Sequence, residues 1–513
     1  MLVGKDVDAH PNFMRFLLLL LAPCLALNTQ EPPPPTRSSR VDPVEGWVQV
    51  RLNHFMAYDT RTYPMRYFYN NEFAGNNIVI FVGGEWPITA SWTQGGLAYE
   101  MAEQMRAALF YTEHRFYGSS RPFADSELPN LSFLSIDQAL ADLAQFIQHV
   151  KSDAFENGRY RLAKVALVGC SYAGTMATWM RLAYPHVVDA AFSDSGPLHA
   201  QEDFPEYLEV IAEAIREQGG ETCLANIEEA MNGLVALLAT PDGPLQVSEM
   251  FKTCTPIQAN TPLDVATFFW YGITETFAGL VQYATPGNIP AACRILNDTS
   301  VANHVQRLAN YITTDPWNEP CIETRYTQVV ANHRNVSFDA YESTMRLWTY
   351  QTCVEFGWYQ STNSSRQPFL HTVPVEYFHQ MCKDFFSVDF DEARLRSGIE
   401  RTNIFFGGLT HLPDRVVSVA GGHDPWSPMG PNTTHAHHNA PVYVVPGVSH
   451  CRAIRSTGNS ETEELEAVKQ AVLGHMHEYI VGPVLPLPSS APSMAANMAA
   501  SIVLLVTAVF ASL

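Results

Sequence analysis

Runs of consecutive apolar residues alternate with amphipathic stretches along the first part of this 513-residue chain. Nearly continuous apolar runs, typical of strands buried on both faces of a sheet, lie at 77–82, 107–112, 165–168 and 187–193. The segment 135–151 instead repeats its apolar residues at helical spacing, and Ser135 is the expected N-cap. Strands that alternate with helices predict a mostly parallel sheet in an α/β fold.

The pattern changes between residues 200 and 398, where amphipathic helical stretches dominate. Strand-like runs return at 415–420 and 440–445, and a helical pattern follows them. A chain of this length is expected to form more than one domain. We therefore predict an α/β core in two parts, 44–199 and 399–482, with a helical cap domain at 200–398 inserted between them.

The stretch 164–181, KVALVGCSYAGTMATWMR, predicts a buried strand, a tight turn and a helix, with Ser171 in the turn. This is the arrangement of the nucleophile elbow of α/β-hydrolases. The turn is sharp, so the positions two before and two after the serine must be small, and here they are Gly169 and Ala173. The motif departs from G-x-S-x-G, because Gly174 stands one place late. A glycine-rich turn that carries an inert serine therefore stays an alternative.

An α/β-hydrolase carries its catalytic residues in the order serine, acid, histidine, with the last two after late strands. Asp424 follows the strand-like run 415–420, and His450 follows the run 440–445. In these roles His450 accepts the Ser171 proton, and Asp424 orients and stabilises the imidazole.

Two other histidines compete for the role of base. His114 precedes the serine in the chain, and His423 adjoins the expected acid, so neither fits the order as well as His450. Each member of the triad also has a structural alternative, since a histidine at a strand end is often structural and an Asp-Pro-Trp segment can be only a turn.

The run 77–82 ends in the turn Gly83-Gly84-Glu85-Trp86-Pro87. A glycine pair after a strand lets backbone N–H groups point at a ligand, as an oxyanion hole requires. We expect the N–H of Tyr172 and one from Gly84 to hold the oxyanion.

The two ends of the chain resemble processing signals. Residues 1–28 contain a basic residue followed by a short apolar run, which predicts a signal peptide. The Pro-rich leader that follows, 29–43, is expected to be disordered. The last segment, 483–513, joins a Pro/Ser linker to an apolar tail, the pattern of a GPI-anchor signal. A tail anchor or an uncleaved apolar tail are the alternatives.

The cysteines and the asparagine sequons are those expected of a protein that passes through the secretory pathway. Eight cysteines remain after the predicted signal peptide, an even number that predicts disulfides, although spacing alone does not give their pairing. N-x-S/T sequons predict glycosylation at Asn130, Asn297, Asn335, Asn363 and Asn432.

The formal net charge of −21 argues against nucleic acid and anionic membrane surfaces as partners. No Cys/His cluster has the spacing of a zinc site, so we expect no metal. We expect no cofactor either.

Several motifs together resemble the prolyl-peptidase family of serine proteases, which includes lysosomal Pro-Xaa carboxypeptidase, dipeptidyl peptidase II and thymus-specific serine protease. They are GGEWP, TEHRFYG, GCSYAG, RLWTYQTCVEFGWYQ, GGHDPWS and GVSHC. The similarity runs from about residue 48 to residue 480, and the segment YQTCVEFGWYQ is most similar to the thymus-specific branch.

The resemblance implies an α/β-hydrolase core with an inserted helical, disulfide-stapled cap domain, and cleavage after proline. It carries Ser171, Asp424 and His450 over as the triad. It suggests Trp426 as an aromatic wall of a proline pocket, and we also expect Glu85 to contact the substrate. The pairings it implies in the cap are Cys223–Cys293, Cys254–Cys321 and Cys353–Cys382.

Three features depart from the family pattern. Trp86 stands beside the expected oxyanion hole, where the family usually has a small residue. The family often has an Asp within a few positions of the base, and here the segment 452–454 is Arg-Ala-Ile. Cys170 and Cys451 flank Ser171 and His450, so we hypothesise that they form a disulfide if the two catalytic side chains meet.

We therefore predict a secreted, lysosomal or surface-anchored serine peptidase that acts on proline-containing peptides through an acyl-enzyme. A lipase or esterase on the same fold and a catalytically silent hydrolase-like binding protein are the alternatives. Whether cleavage proceeds from the amino end, from the carboxyl end or internally stays open, as does the formation of a homodimer.

Overall fold

The computed structural model describes residues 31–314, 320–458 and 460–483. The predicted signal peptide and the predicted GPI signal lie outside the described residues, apart from residue 483. Within the described residues, no helix is long and apolar enough to cross a membrane, and no group of His, Cys, Asp and Glu side chains has an arrangement that could hold a metal ion.

The centre of the molecule is an eight-stranded sheet. Its strands are β1 (Val44–Arg51), β2 (Thr62–Asn70), β3 (Asn77–Val82), β4 (Ala107–Thr112), β5 (Val165–Cys170), β6 (Ala190–Asp194), β9 (Val416–Gly421) and β10 (Val442–Val445). They lie in the order β1-β2-β4-β3-β5-β6-β9-β10. Pairs β1/β2 and β2/β4 are antiparallel, and the remaining neighbours are parallel. A separate two-stranded sheet pairs β7 (Gln201–Asp203) with β8 (Gly357–Tyr359).

Helices lie in the connections between the parallel strands of the first part of the core, as crossover connections require. They are α1 (Leu97–Met105), α2 (Leu128–Leu131), α3 (Ile136–Val150) and α4 (Tyr172–Ala183). Helix α16 (Glu463–Ile480) follows the last strand of the sheet. Ser135 caps α3, as expected, by accepting the backbone N–H of Gln138. The strand expected at 187–193 begins later, because the N–H groups of Val187 and Val188 bond back to Tyr184 in a turn.

The described chain between β6 and β9 is mainly helical, apart from β7, β8 and the loops. Its helices are α5 (Glu206–Gly219), α6 (Glu221–Leu238), α7 (Gly243–Met250), α8 (Pro262–Thr267), α9 (Glu275–Gln282), α10 (Asn288–Leu296), α11 (His304–Thr314), α12 (Tyr326–His333), α13 (Ser343–Gln351), α14 (Val375–Phe385) and α15 (Glu392–Phe406). A π-helical segment, Phe268–Thr274, joins α8 to α9, and a second, Thr352–Phe356, continues α13. Helix α15 crosses the boundary predicted at residue 398. This mixed sheet with helices and an inserted cap is the α/β-hydrolase arrangement.

The described part of the leader is ordered, so the expectation of disorder is wrong there. Glu31 Oε1 accepts the backbone N–H of Thr89 at 2.9 Å, and Trp92 Nε1–H donates to the Pro32 carbonyl at 3.0 Å. In addition, the backbone N–H groups of residues 38 and 39 in the leader donate to the Gln94 carbonyl. The Pro-rich composition of the leader does not indicate these contacts, because they depend on main-chain groups and on one carboxylate.

The eight cysteines of the described chain form four disulfides. The three cap pairs are those that the resemblance implies, Cys223–Cys293, Cys254–Cys321 and Cys353–Cys382. The fourth joins Cys170 to Cys451, which confirms the hypothesis drawn from their positions. Of the sequon asparagines, three are exposed and two are half-buried, so burial excludes none of the predicted glycosylation sites.

Candidate active site

Ser171 lies in a tight turn between β5 and α4. Its backbone has φ 56° and ψ −133°, a conformation that L-residues rarely adopt. A Cβ on Gly169 would lie 2.1 Å from the carbonyl oxygen of Ala173, so that position requires glycine. Gly174 is also confined, since a Cβ there would lie 2.8 Å from Ser193 Oγ. The late glycine of the motif is thus explained by its close approach to β6.

The expected acid and base lie side by side, after the ends of β9 and β10. His450 Nδ1 and Asp424 Oδ1 are 2.7 Å apart, and both side chains are almost fully buried. A carboxylate accepts a hydrogen bond from Nδ1–H, which leaves Nε2 free to accept a proton. Within the described part of the chain, His450 Nε2 has no hydrogen-bond partner. Its bond to Ser171 is therefore not formed in this structure, as is common before a substrate binds.

The two rival histidines face other partners. His114 Nε2 lies 3.2 Å from the hydroxyl of Tyr172, and burial lowers the pKa of His114 to about 4, which keeps it neutral. His423 Nε2 lies 2.6 Å from Glu217 Oε2 on cap helix α5. Of these three histidines, His450 is the one that bonds the expected acid.

The loop that carries His450 is fastened to the neighbouring strands. The Cys170–Cys451 disulfide ties it to the residue before Ser171. Asp194, at the end of β6, accepts the backbone N–H groups of residues 453 and 454 at 2.7 and 3.0 Å, and burial raises the pKa of Asp194 to about 6. The resemblance leads us to expect an Asp just after the base, and here a neighbouring strand supplies a carboxylate to this loop instead.

The expected oxyanion donors come from two elements. Tyr172 is the first residue of α4, so its N–H has no acceptor within the helix and is available to a ligand. Gly84 packs against Trp86, since a Cβ on Gly84 would lie 2.7 Å from that ring. The buried Trp86 indole donates to the hydroxyl of Tyr111 at 2.8 Å. Trp86 is thereby held by the core, which explains how a large residue is tolerated beside this turn.

A narrow pocket lies next to the serine. It is lined by Glu85, Ser171, Tyr172, Pro197, Trp348, Trp358 and Trp426. Its cavity volume of about 10 Å³ is close to the space that one water molecule needs, so the entry of a larger group requires movement of the indoles. Trp426 and Glu85, which the sequence analysis predicts as substrate contacts, both line this pocket. Trp348, Trp358 and Pro197 complete the wall and were not singled out from the sequence.

Helix α9 holds the acid and base loops from the cap side. The backbone N–H of His450 donates to the Gln282 carbonyl at 3.3 Å, and the Gln282 amide oxygen accepts the Trp426 indole N–H at 3.1 Å. The Trp426 ring also packs edge-on against Trp358, with ring centroids 5.7 Å apart. Nothing local in the sequence marks Gln282, because its role depends on contacts between the cap and the core.

A second set of cap contacts supports the helix after the serine. Gln351 Nε2–H donates to the Tyr172 hydroxyl at 3.0 Å, and Tyr117 donates to Gln351 Oε1 at 2.7 Å. Glu355 accepts the backbone N–H of Ile136 at 3.0 Å, and burial raises its pKa to about 8. Gln351 and Glu355 belong to the motif RLWTYQTCVEFGWYQ, but nothing in the spacing of that motif indicates contacts with the core.

Comparison with known proteins identifies relatives that share most of this chain. The chain is 30% identical to the Caenorhabditis elegans protein K12H4.7 over 441 residues, which cover 82% of this chain and 85% of that protein. It is 27% identical to the thymus-specific serine protease of Mus musculus over 458 residues, covering 85% and 88% of the two chains. It is 25% identical to the Mus musculus lysosomal Pro-X carboxypeptidase over 399 residues, covering 75% and 78%.

The family model described as serine carboxypeptidase S28 matches residues 50–472. That range contains the elbow, the acid and base loops and the whole cap. The chain is therefore a serine hydrolase that belongs to the serine carboxypeptidase S28 family.

Proposed function

We propose that the protein cleaves peptide bonds on the carboxyl side of proline, through an acyl-enzyme formed on Ser171. The observation that carries the proposal is the buried pair of His450 and Asp424, 2.7 Å apart, on a loop that a disulfide ties to the residue before Ser171. This pair leaves His450 Nε2 without a partner among the described residues, and a free basic nitrogen is what the activation of a serine requires.

The proposed reaction has two halves. His450 Nε2 takes the proton of Ser171 Oγ as that oxygen bonds to the scissile carbonyl carbon, and the N–H groups of Tyr172 and Gly84 bind the oxyanion. His450 then gives the proton to the leaving amine as the C–N bond breaks. Water, deprotonated by the same histidine, releases the acyl group as a carboxylic acid and restores the serine.

The pocket wall supports proline as the residue before the scissile bond. Trp348, Trp358 and Trp426 present flat apolar surfaces beside Ser171, and a pyrrolidine ring packs well against an indole. Lysosomal Pro-X carboxypeptidases of Mus musculus and Homo sapiens are among the relatives of this chain, which supports the same substrate class. Four disulfides support action in an oxidising compartment, so we place the protein in the secretory pathway or the lysosome.

A peptide library tests the proposal. Peptides that carry proline at one position are digested beside matched peptides with alanine at that position, and the products are identified by mass spectrometry. Cleavage after proline and its loss on substitution by alanine are expected, and Trp426→Ala should weaken the preference. Equal cleavage of the two sets, or turnover of acyl esters alone, would contradict proline specificity.

A further inference from the structure

The segment that leaves the expected oxyanion turn is fastened by two different parts of the molecule. Ile88 is held by the core, since its N–H donates to Glu113 Oε1 at 3.2 Å and its carbonyl accepts from Arg66 Nη2–H at 3.1 Å. The next N–H, that of Thr89, donates to Glu31 Oε1 in the leader at 2.9 Å. The core and the leader therefore hold neighbouring peptide groups of one short segment.

A second path joins the same leader carboxylate to the turn through buried side chains. The indole N–H of Trp86 donates to the hydroxyl of Tyr111 at 2.8 Å, and Tyr111 is fully buried. The proton of that hydroxyl needs an acceptor of its own, and Glu31 accepts it. Burial raises the pKa of Glu31, and the hydrogen bonds from Thr89 and Tyr111 oppose that rise. Tyr111 thus connects the leader to Trp86.

Trp86 passes these contacts on to the turn. A Cβ on Gly84 would lie 2.7 Å from the indole ring, so the backbone of Gly84 already rests against it. An indole whose N–H is bonded cannot turn away from this backbone without losing its bond to Tyr111. The placement of Trp86 therefore limits the directions in which the Gly84 N–H can point. The prolyl-peptidase pattern usually has a small residue here, so this support is a feature of the present chain.

We propose that Glu31 is a positioning residue for the oxyanion turn, which makes the leader part of the working enzyme. Glu31 is not among the residues that line the pocket beside Ser171. It acts on the turn through Tyr111 and Trp86 and through the N–H of Thr89. Proteolytic removal of the leader as far as this residue should slow the chemistry of the serine and leave substrate binding little changed. The inference concerns the serine chemistry and does not depend on specificity for proline.

A carboxylate at the other end of the leader provides a matched control. Glu72 Oε2 accepts the hydroxyl groups of Ser39 and Tyr99 at 2.7 and 2.8 Å. These partners do not belong to the segment 83–89, so Glu72 fastens the leader without supporting the turn. Glu72→Ala should lower stability as Glu31→Ala does, and it should leave the chemistry of the serine unchanged.

The test measures how fast a small fluorophosphonate labels Ser171 in the whole protein. The serine oxygen bonds to phosphorus as fluoride leaves, and the P=O oxygen takes the place of the oxyanion. We expect Glu31→Ala to lower the rate constant at saturation about 10-fold, the scale of a small displacement of a catalytic group, with little change in half-saturating concentration. Glu31→Gln keeps an accepting oxygen and should recover most of the rate. Glu72→Ala should be labelled at the wild-type rate.

Tyr111→Phe separates action through the turn from a general loosening of the fold. This change removes the hydroxyl that joins Glu31 to Trp86 and keeps the ring. Because residues that act through one network are not additive, we expect Glu31→Ala to cost about 3-fold or less in the Tyr111→Phe background. Loss of folded protein lowers the amount that is labelled and does not reproduce this pattern in the rate constant.

Three results would overturn the inference. The first is a wild-type rate constant for Glu31→Ala. The second is equal slowing by Glu31→Ala and Glu72→Ala, which would assign the effect to the stability of the leader as a whole. The third is an undiminished effect of Glu31→Ala in the Tyr111→Phe background, which would show that the leader does not act through Tyr111.

Discussion

The disulfide between Cys170 and Cys451 joins the residue before Ser171 to the residue after His450. Both cysteines are buried, and they are separated by 281 positions in sequence. The expected nucleophile and base lie on different loops, and their mutual hydrogen bond is not formed in this structure. Their relative position therefore depends on this covalent link more than on a direct contact.

We predict that the double variant Cys170→Ala, Cys451→Ala loses at least 10-fold in kcat, because a small displacement of a catalytic group is enough to cost this much. The cap variant Cys254→Ala, Cys321→Ala removes a disulfide of 67-residue separation and is the control. Both should lower the melting temperature. The prediction fails if the core variant keeps wild-type kcat, or if the cap variant loses as much.

A second prediction concerns Asp194 and the loop that carries His450. Its carboxylate accepts the two backbone N–H groups that follow Arg452, so Asp194→Asn replaces one accepting oxygen by a donor. We expect slower fluorophosphonate labelling and lower kcat with little change in KM. Asp189→Asn is the control, because Asp189 accepts the N–H of Val165 at the opposite end of β5. Labelling of the Asp194 variant at the wild-type rate would argue against a positioning role.

Two buried acids contribute to the free energy of unfolding, and we predict that their contribution falls as the pH rises. Burial raises the pKa of Glu275 and Glu355 from 4.5 to about 8, so the folded state binds protons that the unfolded state releases. Their contribution is fully present below pH 4.5 and is lost as the pH rises through 8. Each unit of raised pKa corresponds to about 1.4 kcal/mol.

Urea unfolding at pH 5 and pH 8 checks this sign. Glu275→Gln should match the wild type most closely at pH 5, where the wild-type side chain is protonated, and should be more stable than the wild type at pH 8. A difference between the two proteins that does not change with pH would show that Glu275 ionises alike in both states.

We predict that the contacts of the leader add to the free energy of unfolding. Glu31→Ala removes the acceptor of the Thr89 N–H, and we expect it to lower the free energy of unfolding by about 1 kcal/mol. Glu103→Ala, at an exposed position of α1, is the control. Equal unfolding free energies for the two variants would mean that the leader contact adds nothing.

The parts of the fold that the sequence predicts are those governed by local pattern. Strands β3 and β4 have the predicted bounds, because a nearly continuous apolar run leaves little freedom in where a buried strand begins and ends. Strand β6 begins at Ala190 rather than 187, since the preceding valines close a turn that hydrophobicity does not register.

The residues of the candidate site likewise fall into two groups, those that the sequence pattern predicts and those that only tertiary packing places. Ser171, Asp424 and His450 are found from their order and their places after strands. Trp348 and Gln351 reach the site from a cap helix more than 170 positions later than Ser171 in the chain. No spacing rule links those positions, so only the packing of the cap on the core places them.

Labelling with a fluorophosphonate followed by peptide mapping tests most directly whether Ser171 is the nucleophile. We predict that the wild type is labelled on Ser171, that Ser171→Ala is not labelled, and that His450→Ala is labelled far more slowly. Persistent labelling of Ser171→Ala, or a wild type that does not react, would contradict a serine hydrolase built on this residue.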